Sequence, residues 1–215
     1  MSIYFVKNVL RLTKTLLHLR SLLILIISLL PAMISAKEIE EIIVTANFRD
    51  INLLDTASSV TVIKADSISQ RQAKHLEQLL YLAPNVNFSS GASRGRFIQI
   101  RGIGERSQFI EPLNPSVGII IDGIDFTGIA GAATTMDIDQ VEILRGPQGT
   151  LFGANALAGL INLKSKNPTE VSEGNMSVTL GNHNSRTLSG ALGGSLSSAA
   201  NYRLAIQNHT SDGYI

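Results

Sequence analysis

The sequence predicts an α+β domain with a mixed β-sheet, followed by a run of antiparallel strands. Two observations predict the domain: apolar strand patterns alternate with Gly-rich or polar loops, and one Leu-containing stretch has helical spacing. A third observation predicts the later strands, because apolar and polar residues alternate from Lys164 onward. With 44% hydrophobic and 16% charged residues, the 215-residue chain can form a substantial core.

The first 36 residues have the features of a secretory signal. Four basic residues precede or flank an apolar run at 22–30, and small residues follow up to Ala36. The run is shorter than the roughly 20 residues that a membrane-spanning helix needs, so we expect cleavage after Ala36. An uncleaved inner-membrane anchor is the alternative. Loss of the four basic residues changes the net charge from +1 to −3, which gives no support for nucleic-acid binding.

The residue types exclude several kinds of chemistry. The chain has no Cys, which excludes a disulfide framework, thiolate metal sites and Cys nucleophiles. His75 has no His or carboxylate partner at a metal-ligand spacing, so we expect a solvated side chain. The Ser and His positions form no pattern of a nucleophile and its base. The sequence therefore predicts neither an enzyme nor a cofactor or metal site.

Residues 37–46, KEIEEIIVTA, predict a short solvated strand. Residues 42–45 are strand formers, while the preceding glutamates keep the segment soluble. Such a segment suits strand addition to the sheet edge of another protein, where main-chain hydrogen bonds give affinity. The alternative is an ordinary first strand of the folded domain.

The chain then enters the predicted domain. Residues 47–57 are polar and mixed and predict a tether, and residues 59–63 alternate as a strand. A helix capped by Asp66 or Ser67 follows, and Pro84 ends it. Beyond it, polar or Gly-rich loops separate apolar strands; the loops are 88–96, 108–116 and 127–135, and the strands are 97–101 and 117–121. Asp122-Gly123 predicts a two-residue hairpin turn.

The most specific pattern is VEILRGPQGTLFGANALAGLIN, residues 141–162. A charged strand leads into a turn at Gly146, Pro147 and Gly149, because Pro fixes φ and Gly alone enters positive φ freely. Gly159 then opens an apolar strand that can pack closely. A phosphate-binding loop is the alternative, but it needs Lys followed by Ser or Thr after its last Gly, and here Thr150 and Leu151 follow.

This pattern resembles the end of the plug domain of TonB-dependent outer-membrane receptors, and the run IRGIG at 100–104 resembles a second plug motif. Residues 37–46 resemble the TonB box, the peptide that these receptors offer to the energy-transducing protein TonB. The resemblance assigns TonB binding to Glu41, Ile42, Ile43, Val44, Thr45 and Ala46. It assigns the turns of the plug to Gly102, Asp122, Gly123, Gly146, Pro147, Gly149, Gly153 and Gly159.

The resemblance also implies a domain order. The signal is 1–36, the TonB box and tether 37–57, the plug domain 58–167, and the truncated start of a transmembrane antiparallel β-barrel 168–215. Apolar-out, polar-in alternation in this last part is typical of transmembrane β-strands, although a soluble antiparallel meander has the same period. Barrels of this family have about 22 strands, and we expect about three of them in this chain. We therefore expect a fragment or a truncated product.

For function, the resemblance implies TonB-dependent uptake of a scarce solute, a ferric siderophore most often, across the outer membrane of a Gram-negative bacterium. The expected partners are TonB, outer-membrane lipid and a small-molecule ligand. A soluble periplasmic plug-like binding module is the alternative, if the 215-residue product is complete.

Two further sets of residues follow from the resemblance. Arg101 and Arg145 match the two plug arginines that pair with glutamates of the barrel wall; without that wall they would pair elsewhere, with Glu142 as one candidate, or remain hydrated. The loops that face the ligand would carry Ser90, Arg94, Arg96, Gln108, Asn114 and Thr127, chosen for their hydrogen-bonding capacity and their position in loops.

Overall fold

The structure is a computed structural model that describes residues 41–45, 51–89, 97–106, 115–129 and 133–213. These residues belong to one compact unit of the chain. The predicted signal and Ala46 of the predicted TonB box lie outside the described residues.

Within these ranges the chain forms short helices and a larger number of strands. The strands are, in chain order, β1 (Ile43–Val44), β2 (Ile51–Asn52), β3 (Ser59–Lys64), β4 (Val86–Ser89), β5 (Phe97–Ile100), β6 (Ile103–Gly104), β7 (Val117–Ile121), β8 (Ile124–Asp125), β9 (Ile138–Arg145), β10 (Gly159–Ser165), β11 (Glu173–Leu180), β12 (Arg186–Ser197) and β13 (Ala200–Thr210). The α-helices are α1 (Ala65–Gln70), α2 (Leu76–Leu80) and α3 (Gly149–Phe152), and 3₁₀ turns lie at Leu53–Asp55 and Gly153–Asn155.

A five-stranded sheet with the order β3-β9-β10-β7-β8 is the centre of the predicted plug domain. β10 is parallel to β7, whereas the other neighbouring pairs are antiparallel. The mixed α+β architecture that the sequence predicts is therefore confirmed. The strands β4, β5 and β6 form a separate three-stranded sheet, and β1 pairs with β2.

The main apolar core lies on one face of the five-stranded sheet. Val141 and Ile143 of β9 belong to the same buried cluster as Leu76, Leu79 and Leu80 of α2. Alternation along β9 sends its other side chains to the opposite face, where Leu144 belongs to a second, smaller cluster. The sheet is thus covered on both faces, and what covers the second face positions the functional site.

The single helix predicted between Asp66 or Ser67 and Pro84 is instead two helices, α1 and α2. α1 already begins at Ala65, and its N-cap residue Lys64 makes no side-chain capping bond. Between the helices the chain is held by tertiary contacts: the Leu76 amide donates to the Ala133 carbonyl over 3.0 Å. These contacts compete with helix formation. None of the helices in the described ranges has the length and apolar character needed to cross a membrane.

Two turns of the predicted plug domain have residues with positive φ angles. Asp122 and Gly123 have φ angles of +50° and +82°, as a two-residue turn between β7 and β8 requires. Asn85, after Pro84, has a φ of +60°, a left-handed conformation that Asn tolerates better than most residues.

The last three strands form an antiparallel meander in the order β11-β12-β13. Val178 lies opposite Leu188, and Leu192 lies opposite Leu204. All of these side chains are exposed. The opposite face carries polar pairs such as Ser177 with Ser189. This confirms the predicted alternation and gives the meander one apolar and one largely polar face.

We expect Gly159→Ala to lower the free energy of unfolding by about 1–3 kcal/mol. A Cβ at this position would lie 2.4 Å from the Leu144 carbonyl oxygen and 2.6 Å from Ile100 Cδ1. Because the nearer atom belongs to the backbone, β9 and β10 would have to separate. Urea unfolding followed by circular dichroism measures the change.

Gly149→Ala is the matched control, since no atom lies within 4 Å of the Cβ that it would add at the start of α3. We expect this variant to keep or raise the stability by up to about 1 kcal/mol. Equal losses in the two variants would contradict close packing at Gly159.

Candidate functional site

The structure describes residues 41–45 of the predicted TonB box. These residues lie against the second face of the five-stranded sheet. We call them the N-terminal segment. Val44 is fully buried and belongs to a cluster with Ile120, Leu144 and Leu160. The segment pairs with β2 through the register of Ile43 with Asn52. It is therefore a strand that covers part of the plug domain.

The side chain of Glu142, in the middle of β9, binds the N-terminal segment. Its Oε1 accepts hydrogen bonds from the Thr45 amide at 2.7 Å and from the Thr45 hydroxyl at 2.9 Å. The same oxygen accepts from Gln140 Nε2 at 2.6 Å, and Oε2 accepts from Asn162 Nδ2 at 3.2 Å. Gln140 Nε2 also donates to the Ile43 carbonyl at 3.0 Å.

These donors explain how a carboxylate can lie in the interior. Glu142 has a relative exposure of 0%. A buried charged group without hydrogen bonds would cost several kcal/mol, whereas donors converging on the two oxygens compensate for lost hydration. Two of these donors belong to Thr45, so the N-terminal segment is part of the environment that lets Glu142 stay buried.

The sequence carries a signal for this site in the polar residues of otherwise apolar strands. Gln140 and Glu142 occupy consecutive positions on one face of β9, and Asn162 lies opposite Glu142 in β10. Polar side chains in central strands indicate a buried hydrogen-bond network. Their partner cannot be read from local pattern, because Thr45 and Glu142 are 97 residues apart.

Arg145 lies on the other face of β9 from Glu142. Its Nε donates to the Pro84 carbonyl at 3.0 Å, and its terminal nitrogens donate to the hydroxyls of Ser59 and Thr61. Burial lowers the pKa of the guanidinium, and the positive charge of Arg101 lowers it further. These groups satisfy Arg145 within the plug domain.

The pairing of Arg145 with Glu142 that the sequence suggested is not the arrangement in the structure. The two residues are three positions apart on one strand, and strand alternation sends their side chains to opposite faces. Arg101 is exposed at a turn, with a φ of +56°, and is followed by Gly102 with a φ of +81°. The role of Arg101 and Arg145 in contacts with a barrel wall stays a prediction.

The turn of the 141–162 motif has two Gly residues with positive φ, whereas Gly149 lies in a helix. Gly146 and Gly153 have φ angles of +106° and +75°, which favour Gly. Pro147 is exposed between them, and Gly149 begins α3. The turn closes where the Gln148 amide donates to the Ala156 carbonyl at 2.8 Å, which returns the chain to β10.

An ionic contact that the sequence pattern does not predict joins the plug domain to the meander, and a second one lies within the meander. Arg203 of β13 binds both carboxylate oxygens of Asp137, at 2.5 and 2.7 Å, and Glu173 of β11 at 2.6 Å. The Arg203 and Asp137 side chains are only 11% and 10% exposed. We call these three residues the Arg203 anchor. A cleft of about 440 Å³, lined by polar and apolar side chains, lies between α1 and the strands β11 to β13, and Asp137 is one of its lining residues.

Most of the predicted ligand-facing residues lie outside the described residues: Ser90, Arg94, Arg96, Gln108 and Asn114. Thr127 is described, and its hydroxyl accepts from the Ile119 amide at 2.9 Å while its amide donates to Asp125 at 2.8 Å. Although partial burial raises the pKa of the Asp125 carboxyl, hydrogen bonds from Thr127 and Asn155 lower it overall. Thr127 thus closes the loop after β8. The described residues contain no group of three or more His, Asp or Glu arranged to hold a metal ion.

We expect the Arg203 anchor to show a coupling free energy of about 1–3 kcal/mol between positions 137 and 203. Unfolding of Asp137→Asn, Arg203→Ala and the double variant measures this coupling, because a bidentate pair contributes only when both partners are present. Arg203→Lys is the control, since Lys keeps the charge without the two-pronged geometry. Additive losses would mean that the contact contributes nothing measurable.

The chain resembles several known proteins over the regions described above. It is 32% identical to a vitamin B12 transporter of Vibrio vulnificus over 148 residues, which is 66% of this chain and 23% of that protein. It is 30% identical to the pesticin receptor of Yersinia pestis, over 68% of this chain and 22% of that protein. The chain thus spans about a quarter of the length of these relatives.

Solved structures and a family model agree with this resemblance. The ferric yersiniabactin uptake receptor FyuA of Yersinia pestis matches with a TM-score of 0.62 and 25% identity, over 70% of this chain and 24% of that chain. The model of the TonB-dependent receptor plug domain matches residues 52–160, just over half of the chain. That range contains β3, β7, β8 and β9 of the five-stranded sheet, the start of β10, α1 to α3 and Glu142. The chain belongs to the TonB-dependent receptors and carries their plug domain together with strands that follow it.

Proposed function

We propose that this chain supplies the plug domain and the TonB box for TonB-dependent uptake of a ferric siderophore across the bacterial outer membrane. The observation that carries the proposal is the N-terminal segment. It is a short strand that precedes the plug domain and lies on it, and side chains hold much of it in place. Such a strand can leave the plug domain without unravelling the central sheet.

The direction of coupling follows from that arrangement. Pairing with TonB requires an extended backbone with donors and acceptors on one edge, which the N-terminal segment already has. Force applied to it would pass to β9 through Gln140 and Glu142, since these side chains bind it. β9 is next to the middle of the five-stranded sheet, so a pull there acts on the body of the plug domain.

Placement in the outer membrane is supported by the meander. Large apolar side chains cover one of its faces and are exposed, namely Met176, Val178, Leu180, Leu188, Leu192, Leu204 and Ile206. An exposed apolar face of this kind suits contact with lipid. The edges of three strands would leave backbone groups unpaired in hydrocarbon, so the meander needs further strands beside it. No observation favours the soluble periplasmic module.

The ligand class is proposed from the relatives. Their names include a ferric yersiniabactin uptake receptor, a ferrioxamine receptor and a vitamin B12 transporter. We propose a ferric siderophore, with cobalamin as the competing ligand.

Growth tests the proposal. We expect a strain that lacks this gene to lose growth on one ferric siderophore as its sole iron source and to recover it with the wild-type gene. The double variant Ile43→Pro/Val44→Pro should not restore growth. Each Pro removes one main-chain donor, and because adjacent residues of a strand point to opposite edges, both edges of the N-terminal segment are disabled.

The double variant Ile43→Val/Val44→Ile is the control, since it keeps both donors and the strand-forming side chains. Full growth with the double-proline variant would refute the TonB-box assignment. A growth defect confined to cobalamin-dependent medium would replace the siderophore with cobalamin as the ligand.

A further inference from the structure

We propose that Gln140 and Glu142 occupy the edge of the N-terminal segment that the strand of TonB must take, so that binding requires these two side chains to be displaced. We call the two residues the clasp. The inference rests on the proposed function, in which the N-terminal segment is the TonB box.

The two edges of the N-terminal segment can be told apart from its hydrogen bonds. In an antiparallel pair, every second residue directs both backbone groups toward the partner strand. The Leu53 amide donates to the Ile42 carbonyl at 2.8 Å, and Val44 lies opposite Ile51. Residues 42 and 44 therefore face β2, whereas residues 43 and 45 face away from it.

The clasp binds the edge that faces away from β2. Gln140 Nε2 donates to the Ile43 carbonyl, and Glu142 Oε1 accepts from the Thr45 amide. On this edge of the strand the Ile43 carbonyl is an acceptor and the Thr45 amide is a donor. Gln140 supplies the matching donor and Glu142 the matching acceptor. The backbone of an added strand would present the same alternation of donor and acceptor. The clasp thus occupies with side chains the places that a partner strand would fill with main chain.

The other edge is a less accessible site for a partner. It is bound by the main chain of β2, which is linked to β1 by a short connection. A partner on that edge would have to break a backbone ladder, whereas a partner on the edge of residues 43 and 45 has to displace two side chains. Glu142 would keep Gln140 and Asn162 as donors after the segment has left. The Glu142 carboxylate therefore keeps hydrogen-bond donors when the clasp opens.

Opening the clasp also removes Val44 from its cluster, because the edge of residues 43 and 45 points toward β9. The Val44 side chain has a relative exposure of 0%. A partner strand gains access only when the segment lifts from the sheet. The measured affinity for TonB therefore falls as the clasp and the apolar contact of Val44 become more stable.

Affinity of the full-length protein for the purified C-terminal domain of TonB tests the clasp. Without ligand, we expect Gln140→Ala to raise this affinity about three- to tenfold, because about one net hydrogen bond to the segment is lost. Glu142→Gln, which keeps the shape of the side chain, should raise it as well, since hydrogen bonds to a charged acceptor are about twice as strong as neutral ones.

Gln99→Ala is the matched control. Gln99 and Gln140 are both 8% exposed, and each donates from Nε2 to a backbone carbonyl, that of Glu105 in the case of Gln99. We expect no change in affinity for this variant. An equal rise in Gln99→Ala and Gln140→Ala would mean a general loosening of the domain and would overturn the clasp. Unchanged affinity in both clasp variants would overturn it too.

A peptide of residues 37–46 separates failure of the clasp from failure of the proposed function. The peptide lacks the clasp and should bind the TonB domain; a peptide that does not bind would refute the TonB-box assignment itself. N-methylation of Thr45 should abolish peptide binding, whereas N-methylation of Val44 should leave it intact. The reverse result would place TonB on the other edge and overturn the clasp while leaving the function in place.

Discussion

The buried carboxylate of Glu142 is the constraint on which the second face of the plug sheet depends. A charged group with no exposure needs donors from every side, and no single strand can provide them. Here they come from β9 itself, from β10 and from the N-terminal segment. The Glu142 side chain thereby holds the N-terminal segment, which is 97 residues away along the chain. It does so with hydrogen bonds that, in the proposed function, the strand of TonB replaces.

The two faces of the five-stranded sheet differ in the kind of contact that covers them. The first face packs against α2 through a large cluster of aliphatic side chains, and separating them would expose apolar area with nothing to compensate. The second face has a small apolar cluster and a polar network beside it. A polar network can exchange one set of partners for another at little net free-energy change, because its donors and acceptors remain satisfied. In the proposed function, the segment that moves therefore lies on the second face.

The Arg203 anchor joins the residue that precedes β9, the strand that carries Gln140 and Glu142, to the meander. Asp137 immediately precedes β9, and Glu173 begins the first strand of the meander. A bidentate contact with little exposure holds the start of β9 near β13. The cleft between α1 and the meander adjoins the same region. The contact between Arg203 and Asp137 thus joins the plug domain to the meander through charged groups.

The sequence by itself determined the mixed α+β class, most strands, the turns at Asp122 and Gly146, and the alternation of the meander. These features depend on residues that are close together in the chain, so periodicity and the φ preferences of Gly, Asn and Pro are enough to predict them. It did not determine that the predicted helix before Pro84 is interrupted, because the interruption comes from contacts with residues near Ala133. Only the tertiary structure decided which groups surround Glu142 and Arg203. Thr45 is 97 residues from Glu142 and Asp137 is 66 residues from Arg203, and the order of the strands, which local pattern does not specify, brings them together.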